Sequence, residues 1–346
     1  MNTTQKTLLW TAALGLGGLL TSRFVNNQQR AIELAGRVAL VTGGSRGLGL
    51  AIAEKLVLEG ARVIICARNK EGLKSAQKQL NVIAKKAGSS YQVLALPCDV
   101  SDQKQVDKLI KEIEKQVGEV EILINNAGTI QVAPIEEIEM QEHKESINTH
   151  FWAPLFMMEA VLPGMRQRQE GRIVNIASIG GKVSIPHLVP YSASKHALVG
   201  LSEGYRSELL KDNIYVTTVC PGLVRTGSPK NAIFKGKHQE EQTWFTIGDS
   251  LPITSVSAQD AAEEIVSAGK YGESTVVISL PAKILSGLNG LLPGLVSDAL
   301  GWVNQWLPEP GGVGKERIKG KNSESEWSPS ELTRRTEKAA KRHNQN

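Results

Sequence analysis

Tyr191 and Lys195 are four residues apart, the spacing that puts two side chains on one face of a helix. A phenol titrates near ~10 in water. A cation held beside it favours the phenolate and brings proton exchange closer to neutral pH. Upstream, the apolar run 172–178 reads as a strand ending in Ser178, whose hydroxyl can donate a hydrogen bond to the same substrate oxygen. These three groups can exchange a proton with a carbonyl or an alcohol, provided a nicotinamide nearby exchanges the hydride. Tyr–Lys pairs occur on many helices without consequence, so the rest of the chain must supply the cofactor site.

A candidate site lies near the start. Thr42-Gly-Gly-Ser-Arg-Gly-Leu-Gly49 falls where a first strand turns into a first helix. Glycines there let the backbone approach a pyrophosphate, and the helix N-terminus offers free N–H groups. At the end of the second strand an NAD enzyme places an acidic residue for the ribose hydroxyls. This chain has Cys66-Ala67-Arg68-Asn69 instead, with Arg46 in the glycine loop. Two guanidiniums suit a 2′-phosphate, so NADP(H) is favoured over NAD(H).

The elements that must position these residues alternate. Strand-length apolar runs occur at 37–42, 62–67, 91–97, 121–125, 172–177, 214–220 and 274–280. Helical stretches separate them at 47–58, 71–86, 103–117, 141–168 and 192–210. Continuous apolar strands suit burial on both faces, and the alternation predicts an α/β fold. The expectation is one doubly wound Rossmann-type domain over 35–280, with a parallel seven-stranded sheet and ligands beyond the strands' carboxyl ends. The long stretch 227–255 breaks the rhythm and holds Phe234, Trp244 and Phe245, so it reads as a substrate lid.

Appendages flank this core. Residues 7–22 are uncharged and largely apolar. As a helix they would span roughly 24 Å, short of the ~30 Å hydrocarbon core. With Arg23, Arg30 and Arg37 following, 1–30 reads as a membrane-seeking anchor that leaves the main domain on the cytoplasmic side; the rival is a helix packed on the protein's own surface. Residues 281–307 form an apolar helical extension whose stripe from Leu285 to Trp306 is broken near Pro293. It suits a membrane surface, the domain itself or a second subunit. Residues 309–326 have linker composition, and Ser328-Pro-Ser-Glu331 has capping-box spacing for a charged helix ending near Arg342; 308–346 thus reads as linker and charged tail.

Bulk composition narrows the function classes. The net charge of +5 is mostly a tail property, because Lys315 onward carries nine Lys/Arg against five Asp/Glu. No basic patch with interleaved aromatics appears, so nucleic acid is set aside. Cys66, Cys98 and Cys220 lie in or at the ends of strand-like runs with neither metal nor redox spacing, which suits buried free thiols. No metal is expected. His150, His187 and His196 follow no ligand spacing and read as packing or surface residues, with His187 near the substrate side. Glu136, Glu137, Glu139 and Glu142 read as a solvated helix start.

Taken together, 36–280 resembles the short-chain dehydrogenase/reductase family. The glycine loop has that family's spacing, and Cys98-Asp99-Val100 resembles its adenine contact. Asn125-Asn126-Ala127-Gly128 resembles its fourth-strand signature, in which one asparagine braces the sheet. Pro221-Gly222-Leu223-Val224-Arg225-Thr226 resembles its nicotinamide-amide segment, and Asn148, Ser178, Tyr191 and Lys195 match its catalytic tetrad. The resemblance implies a cofactor site of Gly43, Ser45, Arg46, Gly47, Leu48, Gly49, Arg68, Asp99, Val100, Asn126, Ala127, Gly128, Tyr191, Lys195, Pro221, Gly222, Val224 and Thr226. It also implies Tyr191 as acid/base, Lys195 as ribose ligand lowering the tyrosine pKa, Ser178 polarising the carbonyl, and Asn148 positioning a water beside Lys195. Many members pair through helices equivalent to 141–168 and 192–210, so a homo-oligomer is one expectation. The first functional reading is NADP(H)-dependent hydride transfer between nicotinamide and a carbonyl or secondary alcohol, the carbonyl being an apolar ketone or aldehyde. The second is a 3-oxoacyl-thioester reductase acting on a soluble carrier-bound substrate. A catalytically silent NADP(H) sensor is the third, and the intact tyrosine and lysine argue against it.

Overall fold

Seven of the apolar runs are strands of one sheet: β1 (Val38–Thr42), β2 (Arg62–Ala67), β3 (Leu94–Pro97), β4 (Ile122–Asn125), β5 (Gly171–Ile176), β6 (Ile214–Pro221) and β7 (Thr275–Ile278). In the computed structural model, which describes residues 29–345, every neighbouring pair is parallel and the order is β3-β2-β1-β4-β5-β6-β7. The expected sheet is therefore present. The order reverses between β1 and β4, which opens a crevice at their carboxyl ends. The apolar segment at 1–30 lies almost wholly outside the described residues. Among those described, no helix is long and apolar enough to cross a membrane.

The strands are apolar throughout because both faces are covered. Ala39 and Val41 of β1, with Val63 and Ile65 of β2, face one core; Val38, Leu40, Ile64 and Cys66 face the other. This is the two-residue period of a pleated strand with no polar side left over. The covering helices start where their sequences can satisfy free N–H groups. Asn69 accepts from Gly72 N–H ahead of Lys70–Lys86, and Asp102 accepts from Lys104 and Gln105 N–H ahead of Gln103–Gln116. Each then buries a stripe at helical spacing, Leu73, Ala76, Leu80 and Ala84 in the first, Val106, Leu109, Ile110 and Ile113 in the second.

The expected helix over 141–168 is one continuous rod with a widened turn. Met140–Ile147 and Ala153–Gln167 are α-helical, and Asn148–Trp152 between them is a π turn. Glu142 corrects the picture of a solvated helix start. It is buried, pairs with buried Lys235 at 3.2 Å, and accepts the Glu139 N–H at 2.9 Å.

The stretch 227–255 is largely ordered secondary structure. It holds the two-residue strand Ile233–Phe234 and the helix His238–Ser250. The apolar extension forms two helices, Leu280–Leu291 and Pro293–Asn304, parted at Pro293 as its lack of an N–H requires. Residues 308–345, expected as linker and tail, pack back on the body. Ile318–Lys319 pairs with Ile233–Phe234, Arg317 forks onto Glu145 at 2.9 and 2.6 Å, and a helix runs Arg334–Arg342. Its N-cap position is Thr333, so the spacing at 328–331 does not open it.

A buried polar chain ties the sheet to the helix Val189–Leu209. Asn125 Nδ2 donates to Asn175 Oδ1 (2.9 Å), Asn175 Nδ2 to Ser202 Oγ (3.1 Å), and Thr218 Oγ1 to Ser202 Oγ (2.8 Å). Such chains cost most when a single link is removed, because the partner keeps its desolvation penalty. Asn175→Ala is expected to lower the urea unfolding free energy by about 1–3 kcal/mol; an unchanged midpoint would remove this role.

Candidate active site

The carboxyl ends of the strands open on one cavity of about 930 Å³. Every residue expected to contact the cofactor lines it, from Arg68, Asp99 and Val100 at one end, through the glycine loop and Asn126–Gly128, to Tyr191, Lys195, Pro221, Gly222, Val224 and Thr226 at the other. Ser178 lines it too; Asn148 does not.

The loop is shaped from beneath by Thr42, whose hydroxyl accepts the N–H groups of Asn126 (2.9 Å) and Ala127 (3.0 Å). Asn126 Nδ2 returns a bond to the Thr42 carbonyl at 3.0 Å. A Cβ on Gly49 would collide with Asn126 Nδ2 and the Gly43 carbonyl, so only glycine lets the first helix begin this close to β4. Arg46 and Arg68 both face the cavity; crowding by protein first, then the neighbouring Arg68, push the Arg46 pKa down. Arg68 meets Asp99 at only 3.9 Å. Two like charges at the rim of a cleft suit a phosphate between them, so the residues present fit a phosphorylated dinucleotide.

At the other end three groups converge. Ser178 Oγ accepts the Gly180 N–H at 3.0 Å and hydrogen-bonds the Tyr191 phenol. Lys195 Nζ donates to the Ile176 carbonyl at 2.7 Å and lies 5.7 Å from the Tyr191 ring centre. The electrostatics differ from the expectation of a lowered tyrosine pKa. Burial pushes Tyr191 up against the Ser178 bond, and burial pulls Lys195 down to about 7. Both charged forms are disfavoured in this water-poor corner.

Asn148, the expected fourth member of the tetrad, is exposed at the start of the π turn and is not among the residues that line the cavity. His150, two residues on in the same turn, is 1 % exposed and stands edge-on to Tyr191 with ring centres 5.4 Å apart. Its Nε2 accepts the Thr129 N–H (3.2 Å) and its Nδ1 contacts Ser194 Oγ (2.7 Å), which itself donates to the Tyr191 carbonyl (2.8 Å). An acceptor at Nε2 and an already donating serine leave one consistent assignment, a neutral ring with its proton on Nδ1. Burial first, then Lys195, hold its pKa well below the ordinary value. Residue spacing gave no hint of this, since the extra turn length is invisible in the sequence.

The remaining walls come from the segment before Tyr191, the 227–255 stretch and the apolar extension. Ile185, Leu188, Trp244, Phe245 and Leu285 line the cavity, and so does Asp249. Burial lifts the Asp249 pKa to about 7, with the Thr336 hydroxyl and Arg225 opposing. His187, with φ +61°, lies outside the cavity lining. Its Nδ1 meets buried Glu241 at 2.7 Å, fastening the segment before Tyr191 to the lid helix. Asp249 and the tail residues Asn344 and Gln345, which also line the cavity, were not anticipated.

Comparison with known proteins agrees with this layout. A family model described as short chain dehydrogenase matches residues 37–234, more than half the chain. A dehydrogenase/reductase SDR family protein 7-like from Anopheles gambiae is 32% identical over 74% of this chain and 78% of its own. Among solved structures, L-sorbose reductase from Gluconobacter frateurii, complexed with NADPH and L-sorbose, is 26% identical with a TM-score of 0.62, covering 72% of this chain and 97% of that one. A variant of actinorhodin polyketide ketoreductase with NADPH is 32% identical with a TM-score of 0.61, covering 70% and 96%.

The low Lys195 pKa has a measurable sign. In the unfolded chain this amine titrates near ~10.4, so between that value and about 7 the unfolded state binds the extra proton. The buried lysine therefore destabilises the fold below pH 7, and the penalty fades as pH rises toward ~10.4. Lys195→Met is expected to be the more stable protein at pH 7, with its advantage shrinking toward pH 10 in urea unfolding of the two proteins side by side. Parallel stability profiles would contradict the assignment.

Proposed function

Because the chain belongs to the short-chain dehydrogenase family, an oxidoreductase family, we propose that it is an NADP(H)-dependent reductase of a lipophilic ketone or aldehyde, reversible with the corresponding alcohol. The observation that carries this reading is the convergence of Ser178, Tyr191 and Lys195 on a cavity whose far end presents Arg46 and Arg68. The NADPH complexes of similar reductases support the cofactor choice. When bound, the nicotinamide supplies the hydride.

The chain's own residues handle the oxygen. Ser178 accepts the Gly180 N–H, and its hydroxyl hydrogen, directed at the Tyr191 phenol in the free site, can turn to the substrate oxygen. Tyr191 gives the proton in reduction and takes it in oxidation. Its raised pKa keeps it protonated as the waiting acid. Lys195, drawn to about 7 by burial, gains its charge when an anionic partner or the phenolate forms beside it, which couples its protonation to the proton lost by Tyr191. We assign His150 a positioning role: as a neutral ring it holds Thr129 and, through Ser194, the first turn of the Tyr191 helix.

A lipophilic substrate is supported by the walls of Ile185, Leu188, Trp244, Phe245 and Leu285. The outer face of Leu280–Asn304 is apolar too, with Leu280, Leu291 and nearby Trp306 at 69%, 80% and 76% exposure. We read that face as a membrane-surface contact beside the cavity mouth, where Pro281 and Leu285 line the interior. A second reading, a 3-oxoacyl-thioester reductase, is favoured by the likeness to a polyketide ketoreductase.

Turnover of NADPH by the purified protein against aliphatic, aromatic, steroid-like and 3-oxoacyl carbonyls separates the two readings by which class is reduced. Tyr191→Phe should cut kcat about 10²–10⁴-fold while NADPH still binds; full activity in this variant would sink the acid/base role. In vesicle flotation the protein should rise with lipid, and Leu291→Ser with Trp306→Ser should release it. Wild-type protein that stays at the bottom and sediments as a dimer would assign the face to a second copy.

A further inference from the structure

The C-terminal residues end on the glycine loop. Gly47 N–H donates to the His343 carbonyl at 2.8 Å. Gly47 has φ +58°, and a Cβ added there would meet Gln345 Nε2 at 2.5 Å, so this glycine admits the tail as well as the loop's turn. Asn344 reaches the Ser45 carbonyl at 3.5 Å and the Ser75 hydroxyl at 3.4 Å. Asn231 Nδ2 donates to both the backbone and side-chain oxygens of Gln345, at 2.9 and 2.7 Å, while its Oδ1 accepts from Arg46 at 2.6 Å. One asparagine thus bridges the tail to the guanidinium that faces the cofactor's phosphate end.

The docking is built in, with His343 and Gln345 1% and 5% exposed. Earlier along the tail, Glu337 pairs with Lys230 at 2.7 Å and Thr336 donates to Asp249 at 2.9 Å. Ala340 sits where a Cβ on Gly227 would be. The segment therefore lashes the lid helix to the glycine loop.

Its end forms a wall of the cavity and leaves the space from Arg68 to Lys195 continuous. A plug would fill the cleft; a wall closes over what lies in it. We propose that the segment Arg334–Gln345 is a clasp that closes over the bound dinucleotide and sets the rate at which it leaves. This rests on the dinucleotide reading of the cavity. The phosphate end then leaves past Asn231 and Gln345 when the clasp undocks.

The test is NADPH release by stopped flow, with NADPH fluorescence followed while excess NADP⁺ chases it off. Full-length Asn344→Ala/Gln345→Ala keeps the helix and should release NADPH at least about tenfold faster with the thermal midpoint of the free protein nearly unchanged. Ser75→Cys/Asn344→Cys, oxidised to tie the tail down, should slow both release and entry, and dithiothreitol should restore them. Wild-type release rates in both variants, or tighter NADPH binding in the alanine variant, would overturn the clasp. A wild-type protein that binds no NADPH would overturn the cofactor reading instead, and the clasp with it.

Discussion

The hydroxyl of Thr42 is the pin on which the site turns. It sits at the end of β1, where the strand order reverses, and takes two N–H bonds from the residues that leave β4. Those donors would otherwise be stranded at a buried strand end, since Thr42 is 1% exposed. By satisfying them the hydroxyl holds two loops at hydrogen-bond distance, and the glycine loop and the Asn126–Gly128 turn become opposite lips of one crevice. Asn125, one residue earlier, points the other way and joins the chain through Asn175 to the helix of Tyr191. Adjacent asparagines thus serve the cofactor loop and the proton-transfer helix, one on each side of the strand end.

Desolvation governs the chemistry of the inner corner. Lys195, Tyr191 and His150 are crowded together, and burial disfavours the charged form of each. A neutral histidine is what this corner tolerates beside a buried amine. The lysine's bond to the Ile176 carbonyl holds it in place before any ligand arrives. The free protein carries this arrangement as a standing cost, which is the usual relation between a prepared site and the stability of its fold.

Much of this was legible in the sequence. The strand runs were readable because burial on both faces leaves no polar residues to blur them, and Tyr191, Lys195, Ser178 and the glycine loop were readable because their spacing is tied to one strand or helix each. Asn148 was named by its match to the family's motif, and nothing local in the sequence shows that it stands exposed outside the cavity lining while His150, two residues on in the same widened turn, meets Tyr191. Residues 308–345 are a different case. Their polar, glycine- and proline-rich composition is that of a linker, but they dock by hydrogen bonds such as Asn231 to Gln345 and by ion pairs such as Arg317 to Glu145, which leave no periodic apolar signature. Long-range polar contacts of this kind, between residues more than a hundred positions apart, have no local trace.

The π turn also bears on which length changes this protein can survive. Helices usually absorb a one-residue deletion at their solvent-facing ends. Here, losing one residue within Asn148–Trp152 would restore ordinary winding and leave the flanking segments close to their present phase, whereas losing one elsewhere in the rod would rotate everything on one side by about 100°. Either His150 would swing away from Tyr191, or Met157, Met158 and Val161 would leave the core beneath the sheet. Substitutions in this rod change one contact at a time, whereas a deletion outside the widened turn sets the active corner against the hydrophobic core, so descendants of this chain are expected to lose length at Asn148–Trp152 sooner than anywhere else along it.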